Sequence, residues 1–140
     1  MLKGNLIHPQ ILSALAGAGH RSQVLLSDGN YPHSTKSNPA AELVYLNLSP
    51  GLVSVTQVLE ALTTVLPIEA AYVMRREDGS SVPIWAEFEQ ILPDLKIEPL
   101  ELFDFYTAAQ GPDVCLVIAT GEQRQYANLL LTIGVVPQPD

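Results

Sequence analysis

Two titratable side chains flank a short apolar run near the N-terminus. In the segment GHRSQVLLSDG, His20 precedes the run 24–26 and Asp28 follows it. A histidine exchanges protons near neutral pH and an aspartate accepts hydrogen bonds, so the pair suits acid/base chemistry on a polar substrate. Each residue also has a structural interpretation, because His20 follows Gly19 at a predicted helix end and Asp28-Gly29 is a common turn pair. The fold must decide between these interpretations.

A second group of polar side chains lies near the C-terminus. The triplet Thr120-Gly121-Glu122 closes the apolar stretch DVCLVIAT, and Tyr126 and Asn128 stand two residues apart in QYANLLL. On an extended strand, residues at i and i+2 face the same side. Tyr126 and Asn128 would then present a phenol and an amide together, although a half-buried tyrosine and a turn asparagine are the simpler interpretation.

Composition excludes several classes of function. The chain has 140 residues, of which 47% are apolar, enough for one domain with a substantial core. The formal net charge of -8, from 15 acidic and 7 basic residues, repels phosphate backbones and anionic lipid. We therefore expect neither nucleic acid nor a membrane surface as a partner.

The single cysteine and the N-terminal segment favour the cytoplasm. Cys115 has apolar neighbours, which predicts a buried, reduced thiol. The stretch MLKGNLIHPQILSALAGAG begins like a signal peptide, but His8-Pro9-Gln10 interrupts its apolar residues. No apolar run approaches the roughly 20 residues of a membrane span. We therefore expect a cytoplasmic protein rather than an exported one.

Helix-like and strand-like segments alternate along the chain. The predicted helices are HPQILSALAGAG, SVTQVLEALTTVL, PIWAEFEQIL and FDFYTAAQ. SVTQVLEALTTVL is the clearest, because Ser54 and Gln57 form a capping-box pattern. The predicted strands are VLLS, AELVYLNL, EAAYVMR, LKIEPLEL and DVCLVIAT, with Pro99 placing LKIEPLEL at an edge or a strand end. YANLLLTIGVV fits either a strand or a short helix.

This alternation predicts an α/β fold with a largely parallel central sheet. In such sheets ligands bind beyond the carboxyl ends of the strands, where Asp28 and Thr120-Gly121-Glu122 are expected. Nucleotide-binding loops and the G-x-S-x-G motif of serine hydrolases do not occur. A metal site built from His20, Asp28 and His33 has suitable ligand types but no recognised spacing.

In combination, these segments resemble the RbsD/FucU family of D-ribose pyranases and L-fucose mutarotases. The resemblance rests on the helix HPQILSALAGAGH, the strand ending in Asp28, the TGE stretch, the Tyr-x-Asn motif and an apolar run ending in glycine. The segments REDG and FDFY also have counterparts in the fucose branch. Each motif alone is weak, but their order and spacing extend from MLKG to TIGVVP and are fairly specific.

The resemblance implies an RbsD-like fold, a three-layer α/β sandwich that forms one domain over residues 1–140. It implies rings of identical subunits, commonly pentamers stacked as decamers, with a monosaccharide site between neighbouring subunits. It implies neither a cofactor nor a metal. The substrate would be L-fucose, as the overall spacing favours, or D-ribose, whose branch also carries YAN.

The same resemblance assigns roles to individual residues. The family's acid/base histidine falls on His20, its sugar-binding aspartate on Asp28, and its Tyr-x-Asn motif on Tyr126, Ala127 and Asn128. These residue types fit the opening of an aldose ring to the free aldehyde. One group protonates the ring oxygen while another takes the proton from the anomeric hydroxyl, and the ring then closes again.

One position departs from the family pattern. Just before the segment FDFY, fucose mutarotases carry an arginine and ribose pyranases a histidine that contacts the sugar, whereas this chain has Leu102. An aliphatic side chain cannot donate a hydrogen bond. The chain would then act on a different sugar, act weakly, or use another basic residue, Arg75, Arg76 or Arg124. The alternatives to an enzyme are a non-catalytic sugar-binding or regulatory module of the same fold, and a structural protein.

Overall fold

A six-stranded mixed sheet forms the centre of the molecule, which the computed structural model describes over residues 1–140. In chain order its strands are β1 Gln23–Ser27, β2 Glu42–Tyr45, β3 Ile68–Met74, β4 Glu98–Leu100, β5 Val114–Ala119 and β6 Leu129–Ile133. Across the sheet they lie in the order β2-β5-β1-β6-β3-β4. Only β6 runs antiparallel to its neighbours, so the predicted largely parallel sheet is confirmed.

Four helices cover the two faces of the sheet unequally. They are α1 Pro9–Ala16, α2 Val55–Thr63, α3 Ile84–Ile91 and α4 Leu102–Ala109. The first three pack on one face, where Ile11, Leu59 and Phe88 belong to the larger buried cluster. On the other face, Phe105 of α4 packs with Leu25 in a smaller cluster. The expected three-layer α/β sandwich is therefore confirmed.

The helix ends show which local predictions hold. At the start of α2, the Ser54 Oγ accepts a hydrogen bond from the Gln57 N–H, and the Gln57 side chain accepts one from the Ser54 N–H. A capping interaction of this kind stabilises a helix by about 1 kcal/mol. At the end of α1, Gly17 has a right-handed backbone, with φ of -89°. The left-handed residue is Arg21, with φ of 72°.

The ambiguous C-terminal segment forms the strand that organises the candidate site. All five residues of β6 are buried between β1 and β3. Because β6 is antiparallel to β1, it enters the sheet at the edge where β1 ends. Residues 126–128, which precede β6, therefore lie beside Asp28, which follows β1.

Two further observations concern the expected burial of the single cysteine and the expected absence of a membrane span. Cys115 is free and half-buried, less buried than its apolar neighbours predicted, and its thiol donates to the Gln23 carbonyl oxygen at 3.4 Å. No helix in the structure combines the length and the apolar character needed to cross a membrane.

Candidate functional site

A cavity of about 290 Å³ opens at the carboxyl edge of the sheet. Its lining residues are Asp28, Asn30, Tyr31, Met74, Leu102, Tyr106, Gln125, Tyr126 and Asn128. Asp28 is the one acidic or basic side chain among them, while three phenol rings and two aliphatic side chains form apolar walls. A few convergent polar groups within apolar walls are typical of sites for small molecules. A monosaccharide, with hydroxyl groups around an apolar ring face, matches this lining.

Asp28 is the centre of the hydrogen bonding in the cavity. The side chain is buried, with 3% of its surface exposed. One carboxylate oxygen accepts the Asn30 N–H at 3.0 Å, and the other accepts the Ala127 N–H and the Asn128 amide, both at 3.2 Å. Burial raises the pKa of the Asp28 carboxyl, and these hydrogen bonds oppose the rise. The carboxylate is thus fixed in direction at the floor of the cavity.

The Tyr-x-Asn motif contributes differently at each of its three positions. Tyr126 has a left-handed backbone with φ of 59°, an unfavourable conformation for a tyrosine, and its ring lines the cavity. Ala127 contributes its backbone N–H to Asp28, and the Asn128 side-chain oxygen accepts the Asp28 N–H at 2.8 Å. The structure therefore brings together four of the predicted site residues, Asp28, Tyr126, Ala127 and Asn128.

Two tyrosines in the cavity were absent from the sequence-based assignment. Tyr106 lies on α4, and burial raises the pKa of its hydroxyl, with the charge of Asp28 as a further cause. Tyr31 packs edge-on against Tyr106, with ring centroids 5.5 Å apart, and its hydroxyl donates to the Lys36 carbonyl oxygen. The segment FDFY was the available signal for Tyr106. The helical period puts Phe105 in the core and turns Tyr106 towards the cavity.

His20 lies at the opposite edge of the sheet. The five residues of β1 separate it from Asp28, and at about 3.3 Å per residue the strand alone spans roughly 16 Å. The His20 side chain is 48% exposed, and its Nε2 lies 3.0 Å and 3.1 Å from the two carboxylate oxygens of Glu69. One chain therefore does not bring His20 to the cavity. No cluster of potential metal ligands forms, including the set His20, Asp28 and His33.

The triplet Thr120-Gly121-Glu122 has a structural part beside the cavity. A Cβ on Gly121 would lie 2.2 Å from the Leu52 carbonyl oxygen, so only glycine fits there. The Glu122 carboxylate is buried and accepts the Val55 N–H at the start of α2. Burial opposes the charge of Glu122, but hydrogen bonds from Arg124 outweigh it and lower the pKa of the carboxyl. The triplet lines a separate polar cleft of about 430 Å³.

The three arginines proposed as substitutes for a basic residue at position 102 differ in their contacts. Leu102 lines the cavity as expected. Arg124 is paired with two carboxylates, those of Glu87 and Glu122, and Arg75 is paired with the carboxylate of Glu101.

Arg76 is the arginine next to the cavity wall. Its guanidinium carbon lies 5.7 Å from the centre of the Tyr126 ring, within cation–π distance. Its polar contact is a long hydrogen bond of 3.4 Å to the Ser80 hydroxyl. Of the three candidates, Arg76 is thus the one that contacts a residue lining the cavity.

The fold and the cavity together define a class of small α/β proteins with a tyrosine-walled site at the carboxyl edge of a mostly parallel sheet. Residues 1–136 match the RbsD/FucU transport protein family. The chain therefore belongs to this family.

Relatives from both branches of the family align over almost the whole chain. Fucose mutarotase of Homo sapiens is 32% identical, over 94% of this chain and 90% of that protein. D-ribose pyranase 1 of Rubrobacter xylanophilus is 30% identical, over 96% of this chain and 98% of that protein. The fucose mutarotase of Streptococcus pneumoniae, crystallised in complex with L-fucose, is 26% identical and gives a TM-score of 0.80. That similarity covers 94% of this chain and 95% of the other.

Proposed function

We propose that this protein is a cofactor-independent isomerase that interconverts the anomers, or the pyranose and furanose forms, of a monosaccharide. The observation that carries the proposal is the cavity, in which a single buried carboxylate faces three phenols. The relatives named fucose mutarotase and D-ribose pyranase support ring opening as the reaction. L-fucose and D-ribose are the first substrates to test.

The residues of the cavity would bind and polarise the sugar. The carboxylate of Asp28 accepts hydrogen bonds, and Asn128 adds an amide within reach of the same hydroxyl groups. Tyr106 stays protonated at neutral pH, since burial raises the pKa of its hydroxyl. It can therefore donate to the ring oxygen or to a hydroxyl group. Ring opening also needs a base that takes the proton of the anomeric hydroxyl group. The cavity of one chain offers no candidate for this base besides Asp28.

His20 would supply this missing group from a neighbouring subunit. His20 is half-exposed at the amino edge of the sheet, whereas the cavity opens at the carboxyl edge. A contact between two different edges of identical subunits is head-to-tail, and a closed set of such contacts forms a ring. A ring of this kind agrees with the pentamer or the stacked decamer that the family resemblance implies. The assembly would complete each site with one histidine.

Arg76 would replace the basic side chain that Leu102 cannot provide. Its guanidinium carbon lies 5.7 Å from the centre of the Tyr126 ring, and Tyr126 lines the cavity. A rotation of the long arginine side chain would bring its donors to a sugar hydroxyl at the rim. Leu102 and Met74 would then contact an apolar edge of the sugar.

We also place the protein in the cytoplasm. The one cysteine is free and takes no part in the proposed chemistry, which suits a reducing compartment.

Exchange NMR of anomeric protons tests the proposed function. L-fucose, D-ribose, D-galactose and L-rhamnose are each measured with and without the protein. We expect faster α/β exchange for at least one sugar, and exchange between ring forms if the substrate is ribose. Binding of a sugar without faster exchange would replace the enzyme by the non-catalytic binding module. The absence of both would reject the proposal.

A further inference from the structure

The polar cleft of about 430 Å³ lies directly beside the cavity that would hold the sugar. Asn30 lines both of them, and it stands two residues after Asp28, which lies at the floor of the cavity. Two residues of chain span at most about 7 Å. The cleft therefore adjoins the cavity, and the two share Asn30 as a wall.

Backbone hydrogen bonds join the three loops that form the cleft. The Gly29 N–H donates to the Glu122 carbonyl oxygen at 2.9 Å. The Gly51 N–H donates to the Gly121 carbonyl oxygen at 2.7 Å, and the Gly121 N–H donates to the Val53 carbonyl oxygen at 3.0 Å. The loops after β1, β2 and β5 are thus fixed to one another. The shape of the cleft is preformed, so a ligand would not have to order it, which lowers the cost of binding.

The walls of the cleft present hydrogen-bonding groups that the chain itself does not use. Asn30, Asn47, Ser49 and Gln123 line the cleft, and their exposed side chains form no hydrogen bond with the rest of the chain. Side-chain amides and hydroxyls both donate and accept hydrogen bonds. Three amides and one hydroxyl around a preformed cleft therefore suit a ligand that carries several hydroxyl groups.

The charges around the cleft favour a neutral ligand over an anionic one. Glu122 is the one acidic or basic side chain in the lining. Its two carboxylate oxygens accept hydrogen bonds from the Arg124 guanidinium at 2.9 Å and 2.8 Å, and Arg124 also pairs with Glu87. The cleft thus offers no unpaired cation to a phosphate or a carboxylate, whereas a neutral polyol needs none.

We propose that the cleft binds a second sugar unit, so that the preferred substrate is a monosaccharide with a neutral glycosyl substituent on a hydroxyl other than the anomeric one. This inference rests on the proposed function and names the substrate class of the same site. The unit in the cavity keeps its anomeric hydroxyl free, and ring opening leaves the glycosidic bond to the outer unit intact. The cleft of about 430 Å³ is larger than the cavity of about 290 Å³ and has room for a unit of equal size.

Exchange NMR with linked sugars tests the substrate class. The probes are galactosyl derivatives of the free sugar that the protein turns over best, linked through each non-anomeric hydroxyl in turn. For one regioisomer we expect a KM about tenfold lower than that of the free sugar, with kcat within about twofold. The reason is that the outer unit adds hydrogen bonds without touching the reacting atoms. The other regioisomers should have a higher KM, because their linkage directs the outer unit away from the cleft.

Two amides of the cleft that do not line the cavity identify where the outer unit binds. We expect Asn47→Ala and Gln123→Ala each to raise the KM of the preferred linked sugar by about three- to tenfold, as for one lost hydrogen bond. Both variants should leave the KM and kcat of the free sugar within about twofold of the wild type. Gln90→Ala, at an exposed position of α3, is the matched control and should change neither substrate.

The outcomes separate this inference from the proposed function. If the free sugar exchanges faster but no linked sugar has a lower KM, the second unit has no binding site and the inference is overturned. A lower KM that neither variant changes overturns the role of the cleft. If no free sugar exchanges faster, the proposed function is rejected, and saturation-transfer NMR then decides on the cleft. Protons of the outer unit should receive saturation from the wild type and lose it in the Asn47→Ala, Gln123→Ala double variant, and their absence from the wild-type spectrum overturns the inference.

Discussion

The carboxyl edge and the amino edge of the sheet differ in how far their polar side chains are buried and hydrogen-bonded. At the carboxyl edge, Asp28 is buried and accepts three hydrogen bonds. At the amino edge, His20 and Glu69 are about half exposed and contact nothing beyond each other through their charged groups. The carboxyl edge thus has an ordered cavity, whereas the amino edge presents a pair of charged side chains to solvent. The proposed division of the site between two copies of the chain would account for this difference.

The largest contrast between the two edges is expected in stability. Asp28→Ala leaves the N–H groups of Asn30 and Ala127 and the amide of Asn128 without their acceptor. Ala127 and Asn128 are buried, and an unsatisfied buried donor costs about 1–3 kcal/mol, so we expect a loss of about 2–6 kcal/mol in the free energy of unfolding. His20→Ala should change it by less than about 1 kcal/mol, because its ion pair is exposed. Urea unfolding of both variants measures the two values, and equal losses would contradict the comparison.

In activity, by contrast, both edges should be important. We expect His20→Ala to lower kcat/KM by about 10²–10⁴-fold, the range for loss of an acid/base group, and Asp28→Asn to reach the lower end of that range, because the sugar loses a charged hydrogen-bond acceptor. Exchange NMR with the preferred sugar measures the loss. Wild-type rates in His20→Ala would remove the amino edge from the mechanism.

Substitutions of two neighbouring arginines test which of them contributes to sugar binding at the carboxyl edge. We expect Arg76→Gln to raise KM by about tenfold with little change in kcat, as for one lost hydrogen bond from a charged donor. Arg75→Gln is the matched control, since Arg75 is paired with Glu101 and should change KM by less than about twofold. Similar effects of both variants would mean that only the overall charge matters.

The two buried carboxylates at this edge should have opposite effects on pH-dependent stability. Glu122 has a lowered pKa, so its contribution is present above its unfolded-state pKa and is lost as the pH falls. Asp28 has a raised pKa, so its contribution is present at low pH and is lost as the pH rises through the folded-state value. Relative to the wild type, Glu122→Gln should therefore lose its disadvantage as the pH falls from neutral towards 3, whereas Asp28→Asn should lose it as the pH rises. Urea unfolding across this range provides the measurement, and slopes of the same sign would refute the assignment.

Most elements of the fold could be predicted because their signals are local. The capping pattern at Ser54 and Gln57 and the edge position of Pro99 are both confirmed. The form of β6 could not be predicted, because a run that is buried on both faces has no hydrophobic periodicity. Its antiparallel direction depends on pairing with strands distant in sequence, which no local pattern encodes.

The cavity residues that adjoin strand ends are the ones that could be predicted from the sequence. Asp28, Tyr126 and Asn128 share the cavity because β1 ends and β6 begins at one edge. Tyr106 was missed because its place in the cavity depends on how α4 packs against the sheet, which the segment FDFY alone does not encode. His20 was assigned by the family resemblance. Its distance from Asp28 follows from the length of β1, which separates the two residues in space although they are close in sequence.

Complementation between inactive variants tests most directly whether the site is divided between subunits. His20→Ala keeps an intact cavity and Asp28→Asn keeps an intact histidine, so a mixed ring places the two intact halves next to each other at some contacts. After unfolding and joint refolding of equal amounts, random assembly should restore about one quarter of the wild-type sites. A site divided between subunits predicts this recovery of anomer exchange, with each variant refolded alone as the control. Mixtures that assemble as rings but stay as inactive as their components would contradict it.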